Sequence, residues 1–133
     1  MEGGIKELSR YRYEKAVSDM NVAKVLYDSE NYDVALNRAY YSAFDAMRAV
    51  NALDGFDSSK HSGVIAHFNQ TYVKTGQFTP TTSQIIRKAS RLREKSDYED
   101  FYEPDKEETL DVMLSVEEFL KEIEVYLQKQ GVL

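Results

Sequence analysis

The segment NRAYYSAFDAM, residues 37–47, carries Arg38, Tyr41 and Asp45 among mostly small or apolar residues. The planar guanidinium of an arginine binds a phosphate or a carboxylate through two parallel hydrogen bonds. A tyrosine ring can hold that guanidinium by a cation–π contact, and an acid can pair with it. These residue types suit either a polar cleft that binds an oxyanion or an internal ion-pair network that fixes helix packing.

A second arginine leaves the same two interpretations open. In RLREKSDYEDFY, Arg93 lies about 80° from Ile85 around a helix, at the flank of that helix's apolar stripe, where we expect it to be half-buried. Asp97 and Tyr98 follow it in the sequence. Arg93 therefore belongs either to an ion-pair network that fixes helix packing or to the same binding site as Arg38.

The elements that would position these residues are helices. Apolar residues recur at helical spacing, alternating strand patterns are absent, and Gly and Pro fall between the periodic segments. Short connections between long helices predict an all-α fold, an antiparallel up-and-down bundle of four to five helices in a single domain over residues 1–133. The predicted helices cover residues 5–27, 33–53, a segment from a cap at Ser58 or Ser59 to 74, a segment from a cap at Thr81 or Thr82 to 96, and a segment from Pro104 to 129, with 97–103 irregular.

The second predicted helix has an apolar stripe through Leu36 and Met47. Arg38, Tyr41 and Asp45 lie about 200°, 140° and 180° around the helix from Leu36, and so on the opposite face. That face carries alanines where a fully exposed face would carry more charge. We therefore expect this helix to be covered on both sides, by another helix or by another subunit.

The last predicted helix should supply much of the core. Its acidic residues fall mainly on the outer face, which indicates a solvated surface. Its expected core residues are Leu110, Met113, Leu114, Phe119, Leu120, Ile123 and Leu127.

Composition excludes several classes of function. The 133 residues include no cysteine, so neither a disulfide framework nor a thiolate metal site is expected. His61 and His67 are six residues apart, which is not the spacing of a helical metal site, and no cofactor-binding motif occurs, so we expect neither metal nor cofactor. No apolar run approaches the length of a membrane span, and the first 15 residues are too polar for a signal peptide. These features predict a cytoplasmic protein.

With a net charge of −6, the chain lacks the overall positive charge that is typical of nucleic-acid binders. Binding to nucleic acid would therefore need a local basic patch. One candidate lies in the fourth predicted helix, where only Glu94 opposes a run of cations, although such a run can also be a solvated face. The run consists of Arg87, Lys88, Arg91, Arg93 and Lys95.

Three motifs in order, NRAYYSAF, KHSGVIAHF and REKSDY, resemble the HEPN superfamily, most closely its small stand-alone members of the kind paired with a minimal nucleotidyltransferase. The resemblance covers the chain from about Arg12 to Leu127. It implies a bundle of four or five helices that is commonly a homodimer, often encoded beside a nucleotidyltransferase as toxin and antitoxin. Many active members are metal-independent ribonucleases that carry an arginine followed after four to six residues by a histidine. In such a site histidine handles protons at the ribose 2′-OH, and arginine stabilises the charge that develops on the phosphate.

The chain departs from that ribonuclease motif. No histidine follows any arginine at the required distance. By the resemblance, Tyr98 stands where the motif that begins at Arg93 would have its histidine, and Asp45 stands at the most distant such position after Arg38. A tyrosine, with an ordinary pKa near 10, is a poor general base at neutral pH. This departure argues against enzymatic activity.

The leading hypothesis is a nucleotide- or RNA-binding module. By the resemblance it would be a homodimer acting in a toxin–antitoxin-like pair with a separately encoded nucleotidyltransferase. One alternative is a ribonuclease toxin with a degenerate site of Arg93 and Tyr98, and another is a structural dimerisation module without a ligand. The predicted ligand-binding residues are Arg38, Tyr41, Asp45, Arg93, Asp97 and Tyr98.

Overall fold

The computed structural model describes residues 2–133, with side chains from residue 4 onward. Within that range the fold is an all-α bundle without strands, as predicted. No helix in the described range is long and apolar enough to cross a membrane. The helices are α1 (Glu2–Asp28), α2 (Tyr32–Asn51), α3 (His61–Phe68), α4 (Thr81–Tyr98) and α5 (Lys106–Lys129), with a 3₁₀ turn at Ala52–Asp54 and a π-helical turn at Asn69–Val73.

Hydrogen bonds between α1 and α2 show that the two helices are antiparallel. The hydroxyl of Ser9, near the start of α1, donates to the carbonyl of Ala49, near the end of α2, at 2.7 Å. The hydroxyl of Ser42, at the middle of α2, donates to the carbonyl of Ala16, at the middle of α1, at 2.6 Å. Both hydroxyls are buried, so each bond satisfies a polar group that would otherwise be costly inside the core.

Helix α5 runs antiparallel to both α1 and α4, so the four long helices alternate in direction and the short α3 lies between α2 and α4 in the chain. The contacts that establish these directions are Tyr13 with Glu124, Lys24 with Glu117, Thr79 with Glu122, and Lys88 with Asp111.

Helix α2 is the central element and packs against each of the other four helices. This confirms that its polar face is covered as well as its apolar face. Small side chains on α2 let its neighbours approach closely, and they are almost completely buried. These residues are Ala35, Ala39, Ser42, Ala43, Ala46 and Ala49.

The predicted starts of two helices were wrong because nearby side chains bond differently. The Ser58 hydroxyl accepts from the Lys60 amide within the preceding loop, and α3 begins only at His61. The Asp105 carboxylate accepts from the Glu108 amide at 2.7 Å, so this N-cap starts α5 at Lys106 and leaves Pro104 outside it.

Two predicted helix ends were also wrong. Helix α4 continues to Tyr98, so Asp97 and Tyr98 are helical rather than irregular. Helix α2 ends at Asn51, and the chain tightens into the 3₁₀ turn before Gly55 takes a left-handed conformation with φ of +79°. Glycine adopts that conformation at little cost because it has no side chain.

The predicted core of α5 was wrong at two positions. Leu110 and Leu114 are 38% and 52% exposed, whereas Val112 and Val116 are buried. The buried face of α5 is therefore rotated toward Thr109, Val112 and Val116, because α5 must contact α1, α2 and α4 at once.

We predict that Ala46→Leu destabilises the protein by about 1–3 kcal/mol, because the larger side chain has to force α2 away from its neighbours. Chemical denaturation monitored by circular dichroism would measure the free energy of unfolding. Ala66→Leu is the matched control, since Ala66 is a helical but exposed alanine, and its effect should stay within about 0.5 kcal/mol. Equal effects of the two substitutions would contradict tight packing around α2.

Candidate functional site

A groove of about 530 Å³ is lined by residues of α2, α3, the π-helical turn and α4, and we call it the arginine groove. Its apolar lining comes from Ile65, Ala66 and Ile86. Arg87, Arg91 and Arg93 contribute three cations, and Glu94 is the single acid of the lining. Tyr40, His61, Ser62, Asn69, Ser83 and Ser90 complete it.

Arg93 is fixed by aromatic rings as well as by an acid. Its guanidinium carbon lies 4.7 Å from the centroid of the Tyr40 ring and 5.8 Å from that of Tyr41. One terminal nitrogen, Nη1, donates to Asp97 at 2.9 Å. Nε is buried and has no hydrogen-bond partner among the described residues. The side chain is only 13% exposed, so this guanidinium is oriented and largely desolvated while keeping unused donor capacity.

His61 lies beside Arg93 although sequence reasoning left it out of the site. Its Nδ1 is 3.0 Å from the Tyr40 hydroxyl, and its ring centroid is 4.3 Å from that of Phe44. Burial, followed by the charge of Arg93, lowers the pKa of His61, so the imidazole is neutral at neutral pH. The sequence indicated only that His61 lies near the start of a helix. Its contacts are with residues of other helices, which the sequence does not reveal.

The direction of the hydrogen bond between Tyr40 and His61 depends on which imidazole nitrogen carries the proton. Burial is the largest of the effects that together raise the pKa of Tyr40, so its phenol stays protonated. The protonated phenol can donate to His61 Nδ1, and in that tautomer the ring proton lies on Nε2 and can be donated to a ligand. In the other tautomer Nδ1 donates to the phenol oxygen and Nε2 is an acceptor.

A second, smaller cavity of about 290 Å³ lies between α1 and α2, and we call it the aspartate hollow. Arg38 contacts Asp19 there at 3.6 Å, and its guanidinium carbon lies 5.0 Å from the Tyr41 ring centroid. Arg48 lies 3.9 Å from Asp45. The lining consists of Lys15, Asp19, Arg38, Tyr41, Phe44, Asp45 and Arg48.

Asp45 is the most buried acid of the hollow, at 5% exposure. Burial, then a hydrogen bond with Asp19 and the negative charge of Asp19, raise the pKa of Asp45 to about 7. Lys15 and Arg48 act in the opposite direction but do not overcome the burial. The carboxyl group of Asp45 is therefore partly protonated at neutral pH.

The structure brings most, but not all, of the predicted ligand-binding residues near one another. Arg38, Tyr41 and Asp45 line the aspartate hollow together. Arg93 lies across the Tyr41 ring, in the arginine groove. Asp97 is exposed and reaches the groove only through its bond to Arg93.

Tyr98 is placed differently from the other predicted residues. It is the last residue of α4, is 79% exposed, and lines neither cavity. The pairing of Arg93 with Tyr98 that the ribonuclease alternative requires is therefore not among the contacts of the described residues.

The basic run of α4 divides between different surfaces. Arg87, Arg91 and Arg93 line the arginine groove, whereas Lys88 pairs with Asp111 and Lys95 lies 4.5 Å from the Tyr102 ring centroid. Arg87 and Arg91 form no ion pair with any carboxylate in the described part of the chain. Two exposed arginines without an ion pair therefore line the groove, in which Glu94 is the one acid.

The fold and these cavities define a small all-α bundle with a cationic cleft, and sequence comparison identifies its family. The sequence matches the HEPN domain family over residues 9–126. The chain belongs to that family.

Relatives match over most of their length. "Putative toxin MJ0142" of Methanocaldococcus jannaschii is 32% identical over 120 residues, which is 90% of this chain and 82% of that protein. A "UPF0332 protein" of Thermotoga maritima is 31% identical over 92% of this chain and 93% of that protein. "Putative toxin MJ0605" of M. jannaschii is 30% identical over 94% of this chain and 92% of that protein.

We predict that the change Asp45→Asn makes in the free energy of unfolding is more favourable at pH 8 than at pH 5, by roughly 1–2 kcal/mol. Because the pKa of Asp45 is raised in the folded state, the wild type loses stability as pH rises from the unfolded-state pKa toward about 7. The asparagine carries no charge, so it avoids this loss. Urea denaturation at the two pH values would measure it.

Asp57→Asn is the control for that prediction, because it removes an exposed acid that also pairs with Arg48. Its pKa is lowered, first by the hydrogen bond from Arg48, so the substitution should slightly destabilise the protein, by at most about 1 kcal/mol at such an exposed pair. A stability difference between Asp45→Asn and wild type that does not change with pH would refute the assignment of a buried titrating acid.

Proposed function

We propose that this HEPN-family protein binds the phosphates of a nucleotide or RNA in a cleft formed by the arginine groove and the aspartate hollow. Arg93 and Arg38 are the principal phosphate ligands, and Tyr41 lies between them. Asp97 orients Arg93 through its hydrogen bond, and Asp45 lies with Arg38 in the aspartate hollow. Tyr98 would join the site only by contacting a bound strand that extends past the end of α4.

The observation that carries this proposal is the local reversal of charge. The chain has a net charge of −6, yet three arginines line one groove, in which Glu94 is the single lining acid and Asp97 pairs with Arg93. Like charges held together in a partly desolvated groove repel one another, and a bound anion would relieve that repulsion. The volume of about 530 Å³ also falls within the range of small-molecule sites, on the order of 300–1,000 Å³.

His61 supports binding more directly than it supports catalysis. When the Tyr40 hydroxyl donates to Nδ1, the neutral imidazole presents its Nε2 proton as a donor, which suits a phosphate oxygen. Nothing in this geometry favours RNA cleavage by Arg93 and Tyr98 over binding. The proposed role is therefore recognition without a catalytic step.

The biological setting of the proposal rests on the relatives and on the family resemblance. Two relatives have names that describe them as toxins. We extend a toxin-like role to this chain, as a cytoplasmic homodimer that acts with a separately encoded nucleotidyltransferase. Arg38 and the three arginines of the groove would then be the groups through which the protein binds a nucleotide or RNA.

We predict that the double variant Arg87→Ala/Arg91→Ala binds a fluorescein-labelled single-stranded oligouridylate at least about tenfold more weakly than wild type, since each charge-assisted hydrogen bond contributes roughly 1.5–3 kcal/mol. Fluorescence anisotropy at several salt concentrations would give both the affinity and the number of phosphates that the protein neutralises. The salt slope should fall by about 0.7 for each phosphate that the variant no longer neutralises. Both arginines are exposed, so the variant should fold.

Arg93→Ala is the second variant, and Arg10→Ala is the matched control, because Arg10 is an exposed arginine of α1 that bonds the carbonyl of Val132 outside both cavities. Arg10→Ala should keep wild-type affinity. Equal binding by wild type and the double variant would rule out the groove as the phosphate site. Loss of folding in Arg93→Ala, with binding retained in the double variant, would assign Arg93 to packing. Shortened RNA on a denaturing gel would contradict a purely binding role.

A further inference from the structure

Two aromatic rings at the end of α4 are exposed although they are large and mostly apolar. Tyr98, the last residue of α4, is 79% exposed, and Phe101, in the loop that follows, is fully exposed. The backbone of Phe101 has a φ of +64°, a conformation that is unfavourable for a bulky side chain. Both features cost free energy, and the rings gain little packing within the chain in return. Such a combination is typical of residues that contact a ligand.

The loop that carries Phe101 is anchored to the helices on either side of it. The Tyr102 hydroxyl donates to Glu108 of α5 at 3.0 Å. Lys95 of α4 lies 4.5 Å from the centroid of the Tyr102 ring. Tyr102 therefore fixes the loop between α4 and α5, while the rings of Tyr98 and Phe101 stay accessible.

The two unpaired arginines of the arginine groove lie on the same face of α4 as Tyr98. At 100° per residue, Arg91 and Tyr98 lie about 40° and 20° from Arg87 around the helix. Along the helix axis the rise from Arg87 to Tyr98 is about 16 Å. A ligand that contacts all three side chains is therefore a strand rather than a single nucleotide.

Acidic side chains around the rings restrict which part of a strand can lie there. Asp97 is bonded to Arg93, whereas the other four acids form no ion pair in the described part of the chain. Their charge disfavours a phosphate at the rings. A base carries no charge and can stack on an aromatic ring. The acids are Glu94, which lies on the same face of α4 as Tyr98, and Asp97, Glu99, Asp100 and Glu103.

The same acids bear on which base is preferred. An ionised carboxylate only accepts hydrogen bonds. Cytosine has an amino group where uracil has a carbonyl oxygen, and glutamate or aspartate side chains accept from that amino group. Glu99 follows Tyr98 and Asp100 precedes Phe101, so each ring has a carboxylate in the adjacent residue. We therefore expect the rings to favour cytosine over uracil.

We propose that Tyr98 and Phe101 form a base-binding subsite, on which bases of a single-stranded RNA stack while the phosphates of the same strand lie in the arginine groove. The subsite prefers cytosine to uracil. This inference rests on the proposed function and narrows its ligand from a nucleotide or RNA to an RNA strand. It gives Tyr98 a role in recognition rather than in catalysis.

A second copy of this chain is the competing occupant of the rings, because aromatic residues are also enriched in protein interfaces. RNA fits this face better, since one molecule supplies neutral bases for the rings and anionic phosphates for Arg87 and Arg91. A second copy carries a net charge of −6 and would bring further acids toward a loop that already has unpaired ones.

The test variant is Tyr98→Ala/Phe101→Gly in the full-length chain. Glycine adopts a φ of +64° at little cost, so the variant loses both rings while the loop keeps its backbone conformation. Its free energy of unfolding, measured by urea denaturation, should stay close to that of wild type. Tyr11→Ala is the matched control, because Tyr11 is an exposed tyrosine of α1 that lines neither cavity.

Isothermal titration calorimetry would compare three unlabelled strands of equal length, since a dye could itself stack on the rings. The strands are an oligocytidylate, an oligouridylate and an abasic strand with the same phosphates. Wild type and Tyr11→Ala should bind the oligocytidylate most tightly and the abasic strand most weakly. The double variant should bind the oligocytidylate at least about fivefold more weakly than wild type.

Two further results would assign that loss to the bases. The double variant should bind the abasic strand as tightly as wild type does, because that strand has nothing to stack. The salt dependence of its binding should also equal that of wild type, since the rings neutralise no phosphate. If the double variant does not fold, Tyr98→Ala alone, which leaves the loop sequence unchanged, replaces it.

The outcomes separate this inference from the proposed function. Tight binding of all three strands by wild type, with equal affinities, would overturn the base-binding subsite and leave phosphate binding in place. An equal loss of affinity for the abasic strand in the double variant would also overturn it. A wild-type dimer that becomes monomeric in the double variant by light scattering, with RNA affinity unchanged, would assign the rings to a second copy. If wild type binds none of the strands, the proposed function itself fails.

Discussion

The close approach of α1 to the small side chains of α2 is the constraint on which the rest of the molecule depends. Alanines along α2 allow neighbouring helices to cover it on every side, and Ser42 bonds the backbone of α1 within that contact. Larger residues there would separate the helices. The same closeness buries Asp45, whereas the Arg38 side chain stays 36% exposed beside Asp19.

The charge arrangement follows from this burial. Asp45 cannot remain a well-solvated carboxylate, so its pKa is raised, and it shares the hollow with Asp19 and three cations. If acids neutralised all the cations, the residues would form an ion-pair network that only fixes helix packing. Three cations and two acids line the hollow, and the neighbouring groove adds Arg87 and Arg91, which pair with no carboxylate in the described part of the chain. In a HEPN-family bundle of net negative charge, this concentration of arginine is the feature on which the proposal of a binding cleft rests.

Aromatic rings connect the two cavities without closing either of them. Tyr41 lies within cation–π distance of both Arg38 and Arg93, and Tyr40 supports Arg93 from the adjacent position while bonding His61. The adjacent tyrosines of NRAYYSAF therefore have different roles. Tyr40 is buried and fixes groups of the groove, whereas Tyr41 is half-buried at the edge of the hollow. Rings can orient guanidinium groups in this way without neutralising their charge, as a carboxylate would.

The sequence by itself determined the helical fold, its family and the common face of Arg38, Tyr41 and Asp45, because helical periodicity fixes which residues of one helix share a side. It also indicated that Arg93 would be partly buried. Helix ends were less predictable, since the caps at Asp105 and the turn at Ser58 depend on local side-chain bonds that several residues could have made. Only the tertiary structure decided that His61 lies beside Arg93, that Asp19 and Asp45 line one hollow, and that Tyr98 lies outside both cavities. Those relations join residues of different helices, and periodicity within a helix does not fix how one helix is rotated and placed against the next.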